Sequence, residues 1–170
     1  MIKFLVLLVS GKIETTISLN LRNLFKLLPV KILICDLVGF TAFCEKSDPE
    51  LVVETLQGLV EKFEDAFVEH NLEKIKTVGD AIVAVSGLSS MDTSSVKNCV
   101  DCSYKLKEIA NSYSIPWDLH VGIHFGSLVA GTIGKKTVQY DILGKSVNVA
   151  FNICDMTEPN QILISSDAWI

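Results

Sequence analysis

Residues 72–87 read LEKIKTVGDAIVAVSG, two apolar-rich runs, Leu72 to Val78 and Ala81 to Ser86, interrupted only by Gly79-Asp80. Glycine as the first of two turn residues suits the positive φ that a tight hairpin demands, so the stretch predicts an antiparallel β-hairpin. A cation at Lys76 and an anion at Asp80 are more than such a turn needs.

Working outward from the hairpin, Asp48-Pro49 opens a helix in the N-cap and N1 manner. Apolar residues at 52, 56, 59, 60, 63, 66 and 67 give it one stripe, and it should end near His70-Asn71. Before it, VKILICD (30–36) is an apolar strand that ends on Asp36, followed by Gly39-Phe40-Thr41 and a short helical stretch to Cys44. After the hairpin, a break at Gly87 to Asp92 leads into a second helix from about Thr93 to Asn111, and Pro116 stops it. DLHVGIHFG (118–126) then reads as a strand, SLVAGTIG (127–134) as a loop with short helix or strand character, and VQYDILG (138–144) as a strand. KSVNVAFNICDM (145–156) is helical with an apolar face, and QILISS (161–166) is a last strand. The order β-α-β-β-α-β with additions predicts an α+β fold with a ferredoxin-like βαββαβ core. Residues 1–29 read as an N-terminal extension, with a short strand over Met1 to Val9 and an amphipathic piece LRNLFKLLP (21–29) closed by Pro29. The domain proper is expected over 30–170.

With 170 residues, 49% of them hydrophobic and 21% charged, the chain has material for one buried core. A formal charge of -5 argues against a surface built on clustered Lys and Arg, so nucleic acid is not an expected partner. Five cysteines, at 35, 44, 99, 102 and 154, are an odd number scattered through apolar stretches, which fits a reducing, cytoplasmic setting. Cys99 and Cys102 lack the second pair that a zinc site needs and are read as ordinary packing, and His70, His120 and His124, which show no HExxH spacing, are read as structural. Met1 to Val9 is too short and lacks a clear cleavage site for a signal peptide, and no run reaches the ~18 to 20 apolar residues of a membrane span.

Asp36 closes a strand and Asp80 occupies the hairpin turn, each a position where a carboxylate caps or turns the chain. In a β-α-β-β order, however, the end of the first strand and that hairpin lie side by side in the sheet. Two carboxylates without histidine or thiolate partners suit hard, oxygen-seeking ions such as magnesium or manganese. Gly39-Phe40-Thr41 adds backbone N–H groups at a helix start, a cradle for phosphate. Together they point to metal-assisted nucleotide chemistry.

ICDLVGFT (34–41), EKIKTVGDAIVAVSG (73–87), HVGIHFGSLVAGTIG (120–134) and QYDILGKSVNVA (139–150) resemble, in order and spacing, the catalytic domain of class III nucleotidyl cyclases. The resemblance covers about residues 30 to 165. It implies a ferredoxin-like core that dimerises head to tail and cyclises a nucleoside triphosphate to a 3′,5′-cyclic nucleotide with release of pyrophosphate, at sites assembled between subunits. It implies two Mg2+ or Mn2+ ions held by Asp36 and Asp80 with the Leu37 carbonyl as an additional ligand, and a phosphate loop at Phe40 and Thr41. Lys76 and Asp141 match the base-reading pair. A Lys donor with an Asp acceptor complements the N1 acceptor and N6 donor of adenine, whereas guanine would prefer a carboxylate in place of the Lys. The expected substrate is therefore ATP, the product cyclic AMP, and the partner a second copy or a related cyclase subunit.

The pattern breaks in NVAFN, where Asn148 matches a residue that orients the ribose. Asn152, one turn later, stands where active members place an arginine. An amide supplies neither charge nor forked donors for phosphate oxygens, which implies reduced turnover. Ser127 stands where some members carry a phosphate-binding Arg, and the chain stops before the hairpin that carries a further basic residue, so its C-terminal end is read as missing. Lys135, Lys136 and Lys145 are candidates to compensate. Two alternatives stay open: a degenerate domain that binds nucleotide or regulates a partner, and a guanylate cyclase.

Overall fold

The computed structural model describes residues 26–88, 96–134 and 136–168. The elements are β1 (Lys26–Leu37), α1 (Phe40–Lys46), α2 (Pro49–Glu69), β2 (Glu73–Val78), β3 (Ala81–Ser86), α3 (Val96–Asn111), β4 (Leu119–Ile133), β5 (Gln139–Leu143), α4 (Lys145–Asp155) and β6 (Ile162–Ile164). The described strands form one sheet in the order β2-β3-β1-β4-β5, antiparallel throughout, with β6 added parallel to β4. This is the expected α+β architecture with a ferredoxin-like core. The long central strand β1 is buried on both faces, which is why its sequence is continuously apolar rather than alternating.

Alternation along β1 sorts the two cores. Leu33, Cys35 and Leu37 face α2 and α3, together with Leu59, Phe63, Phe67 and Leu106. Val30, Ile32 and Ile34 face the other side, under Val147, Ala150 and Cys154 of α4. Because side chains alternate, Asp36 falls on the α4 side at the end of the strand. Cys99 and Cys102 are both buried in the first cluster, as packing residues should be. The approach of α4 to β4 depends on Gly122, where a Cβ would lie 2.5 Å from the Cys154 nitrogen and 2.8 Å from the Ala150 carbonyl oxygen.

Several boundaries differ from the sequence reading. The strand read as 30–36 begins at Lys26, so the last residues of the piece assigned to the extension belong to the sheet. Pro29 does not close that piece. It pairs with Ser127 of β4, while pairing with β3 begins only at Lys31, so Pro29 has a neighbour on one side and its missing N–H costs no ladder bond on the other. Residues 127–133, read as a loop with short helix or strand character, are strand throughout and continue β4 to a length of 15 residues. Gly126 and Gly131 are paired within the strand and do not break it. Asp48 does occupy the N-cap of α2, yet its side chain makes no capping bond. The expected strand at 1–9, the polar link after it and the helix start near Thr93 lie outside the described residues.

On the side of β4 away from β1, β6 covers Val121–Ile123 and β5 covers Val129–Ile133. Between them no described strand pairs with that side. His124 sits in this interval, 6% exposed, with Nδ1 2.8 Å from the Ser165 hydroxyl. Burial pushes its pKa below the usual 6.5, against the opposing pull of Asp167. Below pH 6.5 the unfolded chain therefore takes up a proton that native His124 resists, and stability contributed by this group is lost as pH falls through that window. On acidification from pH 7.5 toward 5 we expect the urea midpoint of the wild type to fall relative to that of His124→Asn, so that the two slopes differ by this group's share. An unchanged slope in the variant would remove His124 as its source.

Candidate active site

The β1–β3 ladder runs to Cys35↔Ile82, so the turn after β2 ends beside the last residues of β1. Gly79 takes φ +64°, the conformation its side-chain-free backbone permits, and Asp80 follows it at the tip. The Asp36 and Asp80 side chains meet there in a hydrogen bond. Asp36 is half-buried, and its pKa is raised from 3.8 to about 6, first by burial, then by the Asp80 charge and the bond to Asp80. A bond from the Leu37 backbone opposes the rise, and the charge of Asp155 adds to it. Two carboxyl groups held this close need a proton or a cation between them.

The donors fit a hard divalent ion. Among the described residues no group of three or more His, Cys, Asp and Glu side chains is placed to hold a metal. The site therefore offers two carboxylates and leaves other positions to main-chain oxygen, water and ligand phosphate, the ligation that magnesium favours. Leu37 is buried through its side chain, 3% exposed, so any contribution from it is that of its main-chain carbonyl.

The chain then turns through Gly39, at φ +79°, into α1. Phe40 is buried, its ring 5.6 Å from Trp117 and 5.9 Å from Phe43, while Thr41 is exposed. This aromatic cluster fixes the start of α1 next to the strand end that carries Asp36.

Lys76 and Asp141 come together from the two ends of the strand order. The long β4 carries β5 back to β2, and Lys76 Nζ lies 2.8 Å from Asp141 Oδ1. A register shift between Lys74 and Lys76 in the β2–β3 ladder re-aims the lysine, as bulges do. Burial works to raise the Asp141 pKa, but the hydrogen bond and charge of Lys76 and the Ile142 backbone N–H, 2.7 Å away, outweigh it and hold the carboxyl below its usual range. Both side chains keep about a fifth to a quarter of their surface open, at 24% and 21%. The pair is pre-assembled and still within reach of a ligand.

Asn148 and Asn152 lie on the exposed face of α4, one turn apart. Asp155, on the same face and overlooked in the sequence, acts on Asp36 through its charge. The helical spacing 148, 152, 155 was the signal that would have revealed it. Ser127 is exposed, with its carbonyl accepting from Ser146 Oγ at 2.8 Å. Lys136 and Lys145 are exposed, and Lys135 is outside the described residues.

Comparison with known proteins gives the family and the fold. Residues 26–169 match the family described as adenylate and guanylate cyclase catalytic domain. The receptor-type guanylate cyclase gcy-23 of Caenorhabditis elegans is 33% identical over 144 residues, covering 81% of this chain and 13% of that protein. The chain thus spans a small part of this relative. Among solved structures, the catalytic core of a rhodopsin-guanylyl cyclase with converted specificity, in complex with ATPαS, superposes with a TM-score of 0.82 at 20% identity, covering 86% of this chain and 83% of that one. The guanylyl cyclase Cya2 superposes with a TM-score of 0.75 at 29% identity, covering 84% and 76%. Among the described residues, no helix is long and apolar enough to cross a membrane.

Proposed function

The chain belongs to the class III adenylate and guanylate cyclase catalytic domain family, and from that premise we propose that it converts ATP to 3′,5′-cyclic AMP and pyrophosphate. The observation that carries the reading is the meeting of Asp36 and Asp80 at one end of the sheet, with Lys76 paired to Asp141. Asp36, Asp80 and the Leu37 carbonyl would hold two Mg2+ or Mn2+ ions. When bound, such ions lower the pKa of an attacking hydroxyl and draw charge from the triphosphate. The main chain at Phe40 and Thr41 would receive the phosphates, and Asn148 would orient the ribose. Lys76 donates to N1 of adenine while Asp141 accepts from its amino group. In a head-to-tail dimer, with a second copy or a related cyclase subunit, Lys76 serves the site opposite the one that Asp80 serves. Val78, Ile133, Val138, Tyr140 and Leu143 are exposed on the hairpin and the β4–β5 arm, and give that arm an apolar surface for a partner.

The test is to incubate the purified protein with ATP or GTP and manganese and to measure each cyclic nucleotide. Cyclic AMP should dominate. Lys76→Glu should move the ATP-to-GTP ratio toward GTP by roughly 10- to 100-fold, since each mismatched buried polar group costs ~1 to 3 kcal/mol. A wild-type preference for GTP would replace this reading with that of a guanylate cyclase, the activity named for gcy-23. Asn152 favours a second reading, a degenerate domain that binds nucleotide or regulates a partner without turnover.

A further inference from the structure

The last turn of α4 is keyed to β4 through His120, Thr157 and Cys154. Thr157 Oγ1 lies 2.7 Å from the Cys154 carbonyl oxygen, and His120 Nδ1 lies 2.8 Å from the same Thr157 oxygen. A carbonyl oxygen only accepts, so the single hydroxyl proton of Thr157 is on the bond to Cys154. The hydroxyl must then accept from His120, which places a proton on Nδ1 and leaves Nε2 of the neutral ring as the lone-pair nitrogen. Cys154 closes the circuit by donating its thiol proton to the His120 carbonyl, at 3.4 Å. Burial first, then the charges of Asp36 and Asp155, push that thiol up to about 12 despite a bond from the Gly122 backbone, so it stays a donor. Cys154 and Thr157 are 2% and 6% exposed, and Gly122 leaves room for the helix backbone against the strand.

The location gives this lock its consequence. His120 stands directly across the β1–β4 ladder from Asp36, a spacing at which side chains are neighbours, with Cβ atoms about 4.5–5.5 Å apart. One residue therefore joins the strand position opposite Asp36 to the helix that presents Asn148 and Asn152.

We propose that His120 is a positioning residue of the catalytic centre: through Thr157 it sets the seat of α4, and with it the placement of Asn148 and Asn152 relative to Asp36. The inference rests on the cyclase reading for its kinetic arm only. Base recognition by Lys76 and Asp141 lies on other strands, so loosening the lock should cost turnover rather than substrate binding. Nitrogen-15 NMR of the wild-type imidazoles should show His120 protonated at Nδ1 and bare at Nε2. Thr157→Val should shift the ring toward the Nε2-protonated form and lower kcat about tenfold, the low end for a supporting hydrogen bond. KM for manganese-ATP should stay within about twofold, and Thr157→Ser should restore both signals. A neutral wild-type ring protonated at Nε2, or wild-type kcat in folded Thr157→Val, overturns the proposal. A protein that forms no cyclic nucleotide defeats the functional reading instead, while the tautomer and its response to Thr157→Val and Thr157→Ser still decide the lock.

Discussion

Replacing Asp80 by alanine is expected to lower cyclic nucleotide formation by at least ~1000-fold, and Asp36→Ala to do the same. A single preorganised charge contact is worth about 100- to 1000-fold, and each of these carboxylates is proposed to hold an ion on which both nucleophile and phosphates depend. The fold should survive. Asp80 sits in a two-residue turn whose geometry is set by Gly79, and its charge raises the cost of ionising half-buried Asp36. Removing it relieves that repulsion, so the urea midpoint near neutral pH should hold or rise. Product measured with manganese-ATP, manganese titration by calorimetry and a denaturation curve on the same sample separate the effects. Wild-type turnover in either alanine variant, or undiminished manganese binding in both, would end the metal assignment.

The second large effect runs upward. Asn152→Arg is expected to raise kcat by ~100-fold or more, because a guanidinium offers charge and forked donors to phosphate oxygens where the amide offers neither. Asn152 is exposed on α4, so the longer side chain enters solvent without repacking the core. Asp155, three residues on, will attract the new cation, but an exposed pair at that spacing is worth only ~0.3–0.5 kcal/mol and cannot hold it away from a triphosphate. Asn152→Arg combined with Asp155→Ala should therefore be at least as active as Asn152→Arg alone. No gain in either variant would show that the amide is not what limits the rate.

The parts of this architecture that were legible in the sequence are those with a local period or a forced turn. The β2–β3 hairpin follows from Gly79-Asp80 between apolar runs, and α2 follows from its stripe at Leu59, Phe63, Ala66 and Phe67. Asp36 and Asp80 could be placed together because strand order alone brings their elements into register. The extent of β1 and β4 was not legible, since Pro29, Gly126 and Gly131 break strands in isolation and are tolerated here by the neighbours that tertiary structure supplies. The lock among His120, Thr157 and Cys154 was also invisible, because His120, far from the other two in sequence, joins them in one hydrogen-bonded unit only after α4 settles on Gly122.

The gap along the outer side of β4, between the stretch covered by β6 and the stretch covered by β5, has a mechanical meaning. There β1 is the one described strand paired with β4, and the other side is held by single bonds, His124 to the Ser165 hydroxyl and Ser146 to the Ser127 carbonyl, in place of a ladder. The Val121–Ile123 end of β4 is held between β1 and β6, whereas its Val129–Ile133 end carries β5 and with it Asp141. The proposed base reader Asp141 and the proposed metal ligand Asp36 thus lie on either side of this span, coupled through the Lys76–Asp141 pair.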